Sequence, residues 1–335
     1  MIILKKMVIL TLIFGSAAAS NAKEYGQKEY VTAAEALSFT REFDIIFHRQ
    51  EGFALTMEKV APRKNINGAA ILIVMSGAWK SGHWYTRPHS KDHLPNFLLP
   101  QAVSMLERGY TLFYVVHGTQ PKFTMLEIID QISLAVRYIR HHQERLQIDG
   151  SRIGMLGASA GGHLSLIQGT KGKASGHHTD LPKGKGGFSL ISDELNGISD
   201  EVQAVVAYYP PTDFLNYGEE GLSFYDAQQA KMLQVPPGSF MSRGIEKAQL
   251  SNHLKAISPV YHVTKNDAPA LLLHGDKDKL VPLQQSDLIA TKFAEAKVGF
   301  RLFIKEGAGH GWRPSVEELR MASDWFDTHL AHSNN

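Results

Sequence analysis

The chain has 335 residues, a formal net charge of +2 and no cysteine. Hydrophobic residues make up 43% and charged residues 20% of it, which is the balance of a globular protein rather than of a disordered or fibrous one. The lack of cysteine excludes disulfides, thiol nucleophiles and cysteine-ligated zinc.

The N-terminal residues 1–22 have the pattern of a secretory signal peptide. Lys5 and Lys6 precede an apolar run at residues 7–14, and small residues then follow up to Ala22. We expect cleavage after Ala22 and export to the periplasm or the medium. The run is too short for a bilayer core of about 30 Å, so we expect no stable membrane anchor. Loss of both lysines lowers the net charge from +2 to 0, which argues against nucleic acid as a partner.

Strand patterns in the rest of the chain predict a mostly parallel sheet. The alternation of residues 53–57 predicts a half-buried strand that begins the sheet. Continuous apolar runs at 69–75 and 110–116 are typical of strands that are covered on both faces, as in parallel sheets. Further strands are predicted at residues 152–156, 202–208, 270–274 and 300–304. Parallel strands need crossovers, so helices should lie between them.

Helices are indeed predicted between these strands, from apolar periodicity and from capping residues. Apolar residues recur at helical spacing over 128–139, and Thr124 and Glu127 have the form of a capping box. Ser315 and Glu318 supply another possible cap. Further helices are predicted from about residue 161, within 283–297 and at 316–329. Alternating strands and helices indicate an α/β fold in which helices flank the sheet.

Two stretches interrupt this alternation. Residues 171–200 are rich in Gly, Lys and Ser and predict a surface loop, with disorder or a substrate-facing excursion as alternatives. Residues 214–259 mix aromatic and polar side chains and could form a small cap over the carboxyl edge of the sheet. We therefore expect one domain over residues 23–335, with a possible cap insertion at 214–259.

Ser159 lies in Gly157-Ala158-Ser159-Ala160-Gly161, between a predicted strand and a predicted helix. This segment fits the GxSxG pattern in the strand-turn-helix context of a nucleophile elbow. Small neighbours permit a sharp turn, and the helix N-terminus favours negative charge that develops beside the serine. A plain Gly-rich turn is the alternative, because short motifs also arise by chance.

A serine nucleophile needs a base, and the base needs an acid that orients it. His310 stands between glycines after the last predicted strand, so its loop can reach back over the edge of the sheet. Asp278 follows a buried strand and is the favoured acid. Asp276 is more consistent with shaping that turn, and Asp213 with capping or lining a pocket. The order Ser, Asp, His is the order of α/β-hydrolases.

Acyl transfer also needs N–H donors that face the developing oxyanion. Ala160, directly after the serine, is one candidate, and Gly77 and Ala78 in the loop after the 69–75 strand are the others. A plain turn with a packed Trp79 is the rival interpretation of that loop. As weaker candidates for substrate contacts we name Trp79, His83 and Trp84.

Three blocks, "RIGMLGASAGGHLS", "LLLHGDKDKLVP" and "EGAGHGW", are joined by "SGAWKSG" and lie within residues 69–330. With these blocks the chain resembles the α/β-hydrolase superfamily, in its esterase and lipase-like branch of feruloyl and acetyl-xylan esterase-like (BD-FAE-like) proteins. The resemblance implies that Ser159 is the nucleophile, Asp278 the acid and His310 the base. It also implies an α/β-hydrolase fold that uses neither cofactor nor metal.

The chain departs from this family pattern at two places. Met75 and Ser76 replace the His-Gly that usually opens the oxyanion loop, which puts the shape of that loop in question. The segment Val116-His117-Gly118 stands where relatives usually have Asp-Tyr-Arg. The residues that hold the site in position should therefore differ from those in relatives.

The leading hypothesis is an exported serine hydrolase that cleaves carboxylic esters through an acyl-enzyme. Its substrate would be a small molecule or a polysaccharide-linked ester, such as an acetyl or feruloyl ester. A prolyl-oligopeptidase-like peptidase is the enzymatic alternative, although residues 23–68 are too few for its propeller domain. A non-catalytic binding protein on the same fold is the other alternative. A metal site at His177, His178 and Asp180 is the least supported of these hypotheses, because the spacing of the three residues resembles no known site.

Overall fold

The computed structural model of the protein describes residues 37–50, 52–170 and 193–331. Within these ranges, eight strands form one sheet. They are β1 (Phe39–Gln50), β2 (Phe53–Pro62), β3 (Ala70–Val74), β4 (Thr111–Val116), β5 (Ile153–Ala158), β6 (Ala204–Tyr208), β7 (Ala270–Gly275) and β8 (Phe300–Lys305). Their order across the sheet is β1-β2-β4-β3-β5-β6-β7-β8.

The helices of the described residues lie between these strands and after them. They are α1 (Leu99–Glu107), α2 (Met125–His141), α3 (Gln143–Leu146), α4 (Ala160–Gly169), α5 (Gln228–Met232), α6 (Leu250–Ala256), α7 (Gln284–Ala296) and α8 (Val316–His329). Thr124 and Ser315 cap α2 and α8, and in both cases a glutamate at the third helical position completes a capping box. Both predicted caps are confirmed.

The sheet is antiparallel at one end and parallel over the rest. β1 pairs with β2 and β2 with β4 in antiparallel fashion, and the neighbours from β4 to β8 are parallel. Every residue of β3 to β7 is buried, as the continuous apolar runs predict. The mostly parallel sheet is confirmed. Because the carboxyl ends of parallel strands meet at one edge, the loops after β3, β5, β7 and β8 converge there.

Helices cover both faces of the sheet. Buried side chains of α1 and α8 pack on one face, with Tyr114 and Tyr208 of the sheet. Those of α2, α4 and α7 pack on the other face. Core side chains from residues 214–259, including Phe214 and Phe240, join this second cluster. The segment expected to be a cap is therefore packed onto the α4 side of the molecule through its aromatic residues.

The sheet begins earlier than the sequence pattern predicts. β1 precedes residues 53–57, so the prediction that those residues begin the sheet is wrong. Two features of β1 obscure its alternation. Arg41 takes a core-facing position, where its guanidinium pairs with the buried Glu58. Asp44, at φ 54°, lies where the register shifts between Glu42 and Ile45.

Two of the sequence-based expectations fall outside the described residues. The expected signal peptide at 1–22 is one, and the metal site at His177, His178 and Asp180 is the other; the expected surface loop at 171–200 is described only over 193–200. In the part of the chain that the structure describes, no helix is both long and apolar enough to cross a membrane.

Candidate active site

Ser159 lies at a sharp turn between β5 and α4. Its backbone has φ 54° and ψ −121°, a conformation that costs about 1–3 kcal/mol for a residue with a side chain. A Cβ on Gly157 would lie 2.3 Å from the Gly161 carbonyl, and one on Gly161 would lie 2.5 Å from the Val74 carbonyl oxygen. The turn therefore requires glycine at both positions, and it lifts the Ser159 hydroxyl above the carboxyl edge of the sheet.

Ser159, His310 and Asp278 form a continuous chain of hydrogen bonds. Oγ of Ser159 lies 3.0 Å from Nε2 of His310, and Nδ1 of His310 lies 2.8 Å from Oδ2 of Asp278. The three residues are far apart in sequence, and the loops after β5, β7 and β8 bring them together. A hydroxyl, an imidazole and a carboxylate in this order can activate the hydroxyl as a nucleophile.

The Asp278 carboxylate is held ionised by its partners. Its Oδ1 accepts the backbone N–H groups of Leu280 and Val281, each at 2.9 Å. Burial alone would raise the pKa of Asp278, but hydrogen bonds from His274 and His310 outweigh burial and hold that pKa well below its usual range. The carboxylate is thus charged at neutral pH, as orientation and stabilisation of an imidazolium require.

Of the three carboxylates considered as the acid, Asp278 is the one that contacts His310. Oδ1 of Asp276 accepts the Gly307 N–H at 2.7 Å and so fixes the loop that carries His310. Oδ1 of Asp213 accepts the backbone N–H groups of Leu215 and Asn216, at 2.8 and 3.2 Å. Asp213 therefore shapes a turn, as the sequence pattern suggests.

The loop after β3 is a tight turn at residues 77–80. The Gly77 N–H donates to the Lys80 carbonyl at 3.0 Å, so this amide is already occupied and does not suit the predicted oxyanion role. Ala78 and Trp79, at φ 48° and 57°, form the centre of a type I′ turn. Among the described residues, no hydrogen-bond acceptor is found for the N–H groups of Ala78 and Ala160, which leaves both free for a ligand.

The three candidates for substrate contacts have different environments. Trp79 is only 1% exposed, and its indole N–H donates to Nδ1 of His163 at 3.1 Å. This position favours the rival interpretation, a packed side chain, over a substrate contact. His83 is turned towards β2, where its Nε2 lies 3.0 Å from Oγ1 of Thr56. Trp84 is 54% exposed, so of these three its ring is the most available to a ligand.

Three further residues lie beside the site, and two of them, Tyr209 and His274, were not selected from the sequence. The Tyr209 ring contacts the His310 ring at a centroid distance of 4.7 Å. The buried His274 ring lies behind Asp278, with Nε2 3.5 Å from Oδ2. The Tyr85 hydroxyl lies against Gly77, 2.5 Å from where a Cβ would be. The one signal in the sequence that could have identified Tyr209 is its position directly after β6, at the carboxyl edge of the sheet.

The sequence and the structure both match known proteins. The BD-FAE family model matches residues 59–293, which is more than half of the chain. The esterase LipC of Mycobacterium tuberculosis is 24% identical over 212 residues, which cover 61% of this chain and 46% of LipC. The chain thus spans less than half the length of this curated relative.

Solved structures share the fold. A truncated form of a carbohydrate esterase from gut microbiota has a TM-score of 0.68 at 21% identity, over 92% of this chain and 99% of that one. Butyrate-bound esterase 2 of Thermogutta terrifontis has a TM-score of 0.64 at 20% identity, over 88% and 96%. The α/β-hydrolase fold expected from the motifs is confirmed. With the family match over residues 59–293, the chain belongs to the BD-FAE family, in the esterase branch of the α/β-hydrolases.

Proposed function

We propose that the protein is a serine hydrolase that cleaves carboxylic esters through an acyl-enzyme. The observation that carries this proposal is the hydrogen-bond chain from Ser159 through His310 to Asp278 at the strained elbow. Membership of the BD-FAE family, together with similarity to the curated esterase LipC, supports the same reaction. The proposal is further supported by described residues that can serve as nucleophile, base, acid and N–H donors for acyl transfer.

Each residue has a distinct task in this mechanism. Asp278 accepts a hydrogen bond from Nδ1–H of His310, which leaves Nε2 free to take the proton of Ser159 as Oγ attacks the ester carbonyl. The protonated His310 then gives this proton to the leaving alcohol, and it later activates the water that releases the acid. The N–H groups of Ala78 and Ala160 stabilise the oxyanion, and a donor of this kind is typically worth about 3 kcal/mol.

For the substrate we propose an ester carried by a carbohydrate, with acetyl or feruloyl as the acyl group. The support is the fold shared with a carbohydrate esterase and the exposed Trp84 ring after the oxyanion loop. Aromatic rings are amphipathic surfaces suited to sugars and to aromatic acyl groups. Release of acetate from acetylated xylan or of ferulate from feruloylated arabinan tests this assignment. Cleavage of short synthetic esters alone would contradict it.

The test of the reaction compares the purified protein with its Ser159→Ala variant. We expect hydrolysis of p-nitrophenyl acetate and butyrate, and covalent labelling by a fluorophosphonate, both lost in the variant. The matched control is Ser165→Ala, on the same helix, where the hydroxyl donates to the Gly161 carbonyl at 2.8 Å. Labelling that persists in Ser159→Ala at another residue would contradict the assignment of the nucleophile.

We also propose that the protein is exported, because residues 1–22 have the charge and hydropathy pattern of a signal peptide. Fractionation of the native host cells, with N-terminal sequencing of the mature protein, tests this. A chain that begins at Lys23 in the periplasm or medium is the expected result. An uncleaved chain in the cytoplasm would contradict it.

A further inference from the structure

Two imidazoles and one carboxylate converge at the end of helix α2. His141 and His142 are consecutive in sequence, and Glu194 lies in a short 3₁₀ helix at Asp193–Leu195. Oε1 of Glu194 lies 3.2 Å from Nε2 of His141 and 3.5 Å from Nε2 of His142. One oxygen therefore faces both rings, and all three atoms lie within 4.8 Å of one another.

These separations resemble those of a metal site. Ligand atoms at about 2.0–2.1 Å from a tetrahedral zinc ion lie about 3.3 Å from one another. The two distances to Glu194 are already near this value, so small side-chain rotations would complete the set. Two imidazoles and a carboxylate are nitrogen and oxygen ligands that zinc accepts, and solvent can supply the fourth ligand at this exposed place.

The surroundings position the His142 ring and the backbone turn that carries Glu194. The His142 ring packs on the Tyr138 ring at a centroid distance of 4.3 Å, and its backbone N–H donates to the Tyr138 carbonyl at 3.0 Å. Leu195, next to Glu194, is 3% exposed and belongs to the core cluster under α2. The ligands are thus carried by a helix end and by a turn that the core anchors.

The local charges also favour a cation. The carbonyl groups at the C-terminus of α2 carry partial negative charge, which stabilises a cation near the last turn. Arg140 and Arg145 are opposing charges among the described residues, but Arg140 donates to the Ser199 and Glu201 carbonyls and Arg145 donates to Glu42 at 2.9 Å.

We propose that His141, His142 and Glu194 bind one zinc ion. Helix α2 begins at the carboxyl edge of the sheet and is about 26 Å long at 1.5 Å per residue, so its last residues lie at the opposite edge from Ser159. The ion would therefore tie the end of α2 to the turn at 193–195 and would take no part in ester cleavage. The proposal is independent of the proposed function.

The test is titration of the purified, chelator-treated protein with zinc chloride by isothermal titration calorimetry, followed by thermal unfolding with and without zinc. We expect one equivalent to bind and to raise the midpoint of unfolding. His142→Ala and Glu194→Gln should each weaken binding at least tenfold, since even changes beside metal ligands typically cost about 10–100-fold. The control is His89→Ala, a half-exposed histidine elsewhere, which should bind zinc like the wild type.

Two results would overturn the proposal. One is no saturable zinc binding to the wild type, which would leave an ordinary imidazole–carboxylate contact. The other is binding that persists unchanged in both ligand variants, which would assign zinc to another part of the chain. Circular dichroism of each variant shows whether it is folded, and Glu194→Gln keeps the size of the side chain in case the alanine variant is disturbed.

Discussion

Replacement of Asp278 by asparagine should abolish most of the activity without loss of the fold. Oδ1 of Asp278 accepts two backbone N–H groups, so the asparagine carbonyl must occupy that position. The amide NH₂ then faces Nδ1 of His310, where the carboxylate Oδ2 now lies at 2.8 Å. A donor at this place forces Nδ1 to accept, and the ring proton moves to Nε2.

The expected fall in kcat follows from this change in the His310 tautomer. With its proton on Nε2, His310 cannot accept the Ser159 proton from 3.0 Å away. Loss of the correct tautomer in such a triad lowers kcat by about 10⁴-fold, equivalent to about 5 kcal/mol of transition-state stabilisation. Because substrate binding is not changed directly, KM should move much less than kcat.

The assay is steady-state hydrolysis of p-nitrophenyl acetate, with unfolding in urea as the check on folding. The matched control is Asp276→Asn, two residues earlier in the same turn, since asparagine can still accept the Gly307 N–H there. Its kcat should stay close to that of the wild type. A kcat for Asp278→Asn within tenfold of the wild type, or a larger loss in Asp276→Asn, would refute the reasoning.

Three further predictions concern stability. Gly157→Ala should lower the free energy of unfolding in urea by about 1–3 kcal/mol, because the new Cβ would lie 2.3 Å from the backbone of helix α4. The control Gly309→Ala should leave this free energy nearly unchanged, because its Cβ would have its nearest contact at 3.9 Å. Trp79→Phe should cost about 1–3 kcal/mol by leaving Nδ1 of His163 without its donor, and should leave KM unchanged; a raised KM with unchanged stability would instead favour a substrate contact. Burial opposes ionisation of Glu58, but its contacts with His83, Thr86 and Arg41 lower its pKa overall. Its ionised form therefore stabilises the fold above the ordinary carboxyl pKa, and this contribution is lost as the pH falls through the lowered value. The stability difference between wild type and Glu58→Gln should shrink below about pH 4 in urea titrations, and a constant difference would contradict this assignment.

Local patterns predicted the parallel strands and the caps of α2 and α8 well. A buried parallel strand shows itself as a continuous apolar run, and a capping box is complete within four residues. The sequence pattern did not predict β1, because the buried Arg41 interrupts the alternation of this strand. Arg41 can be buried because it pairs with Glu58, which lies on the next strand. Helix α1 also went unpredicted, because its N-cap Leu98 offers no capping side chain.

The sequence by itself determined the strand-turn-helix around Ser159 and the order of Ser159, Asp278 and His310 along the chain. Both depend on short-range chemistry: small residues permit the strained turn, and glycines beside His310 permit its loop. The sequence favoured Asp278 among three aspartates, but only the tertiary structure shows that its carboxylate is the one bonded to His310, since this contact depends on how loops from separate strands meet at one edge. It likewise decided that Trp79 is packed and that the Gly77 amide is occupied, because burial and hydrogen bonding are properties of the assembled core.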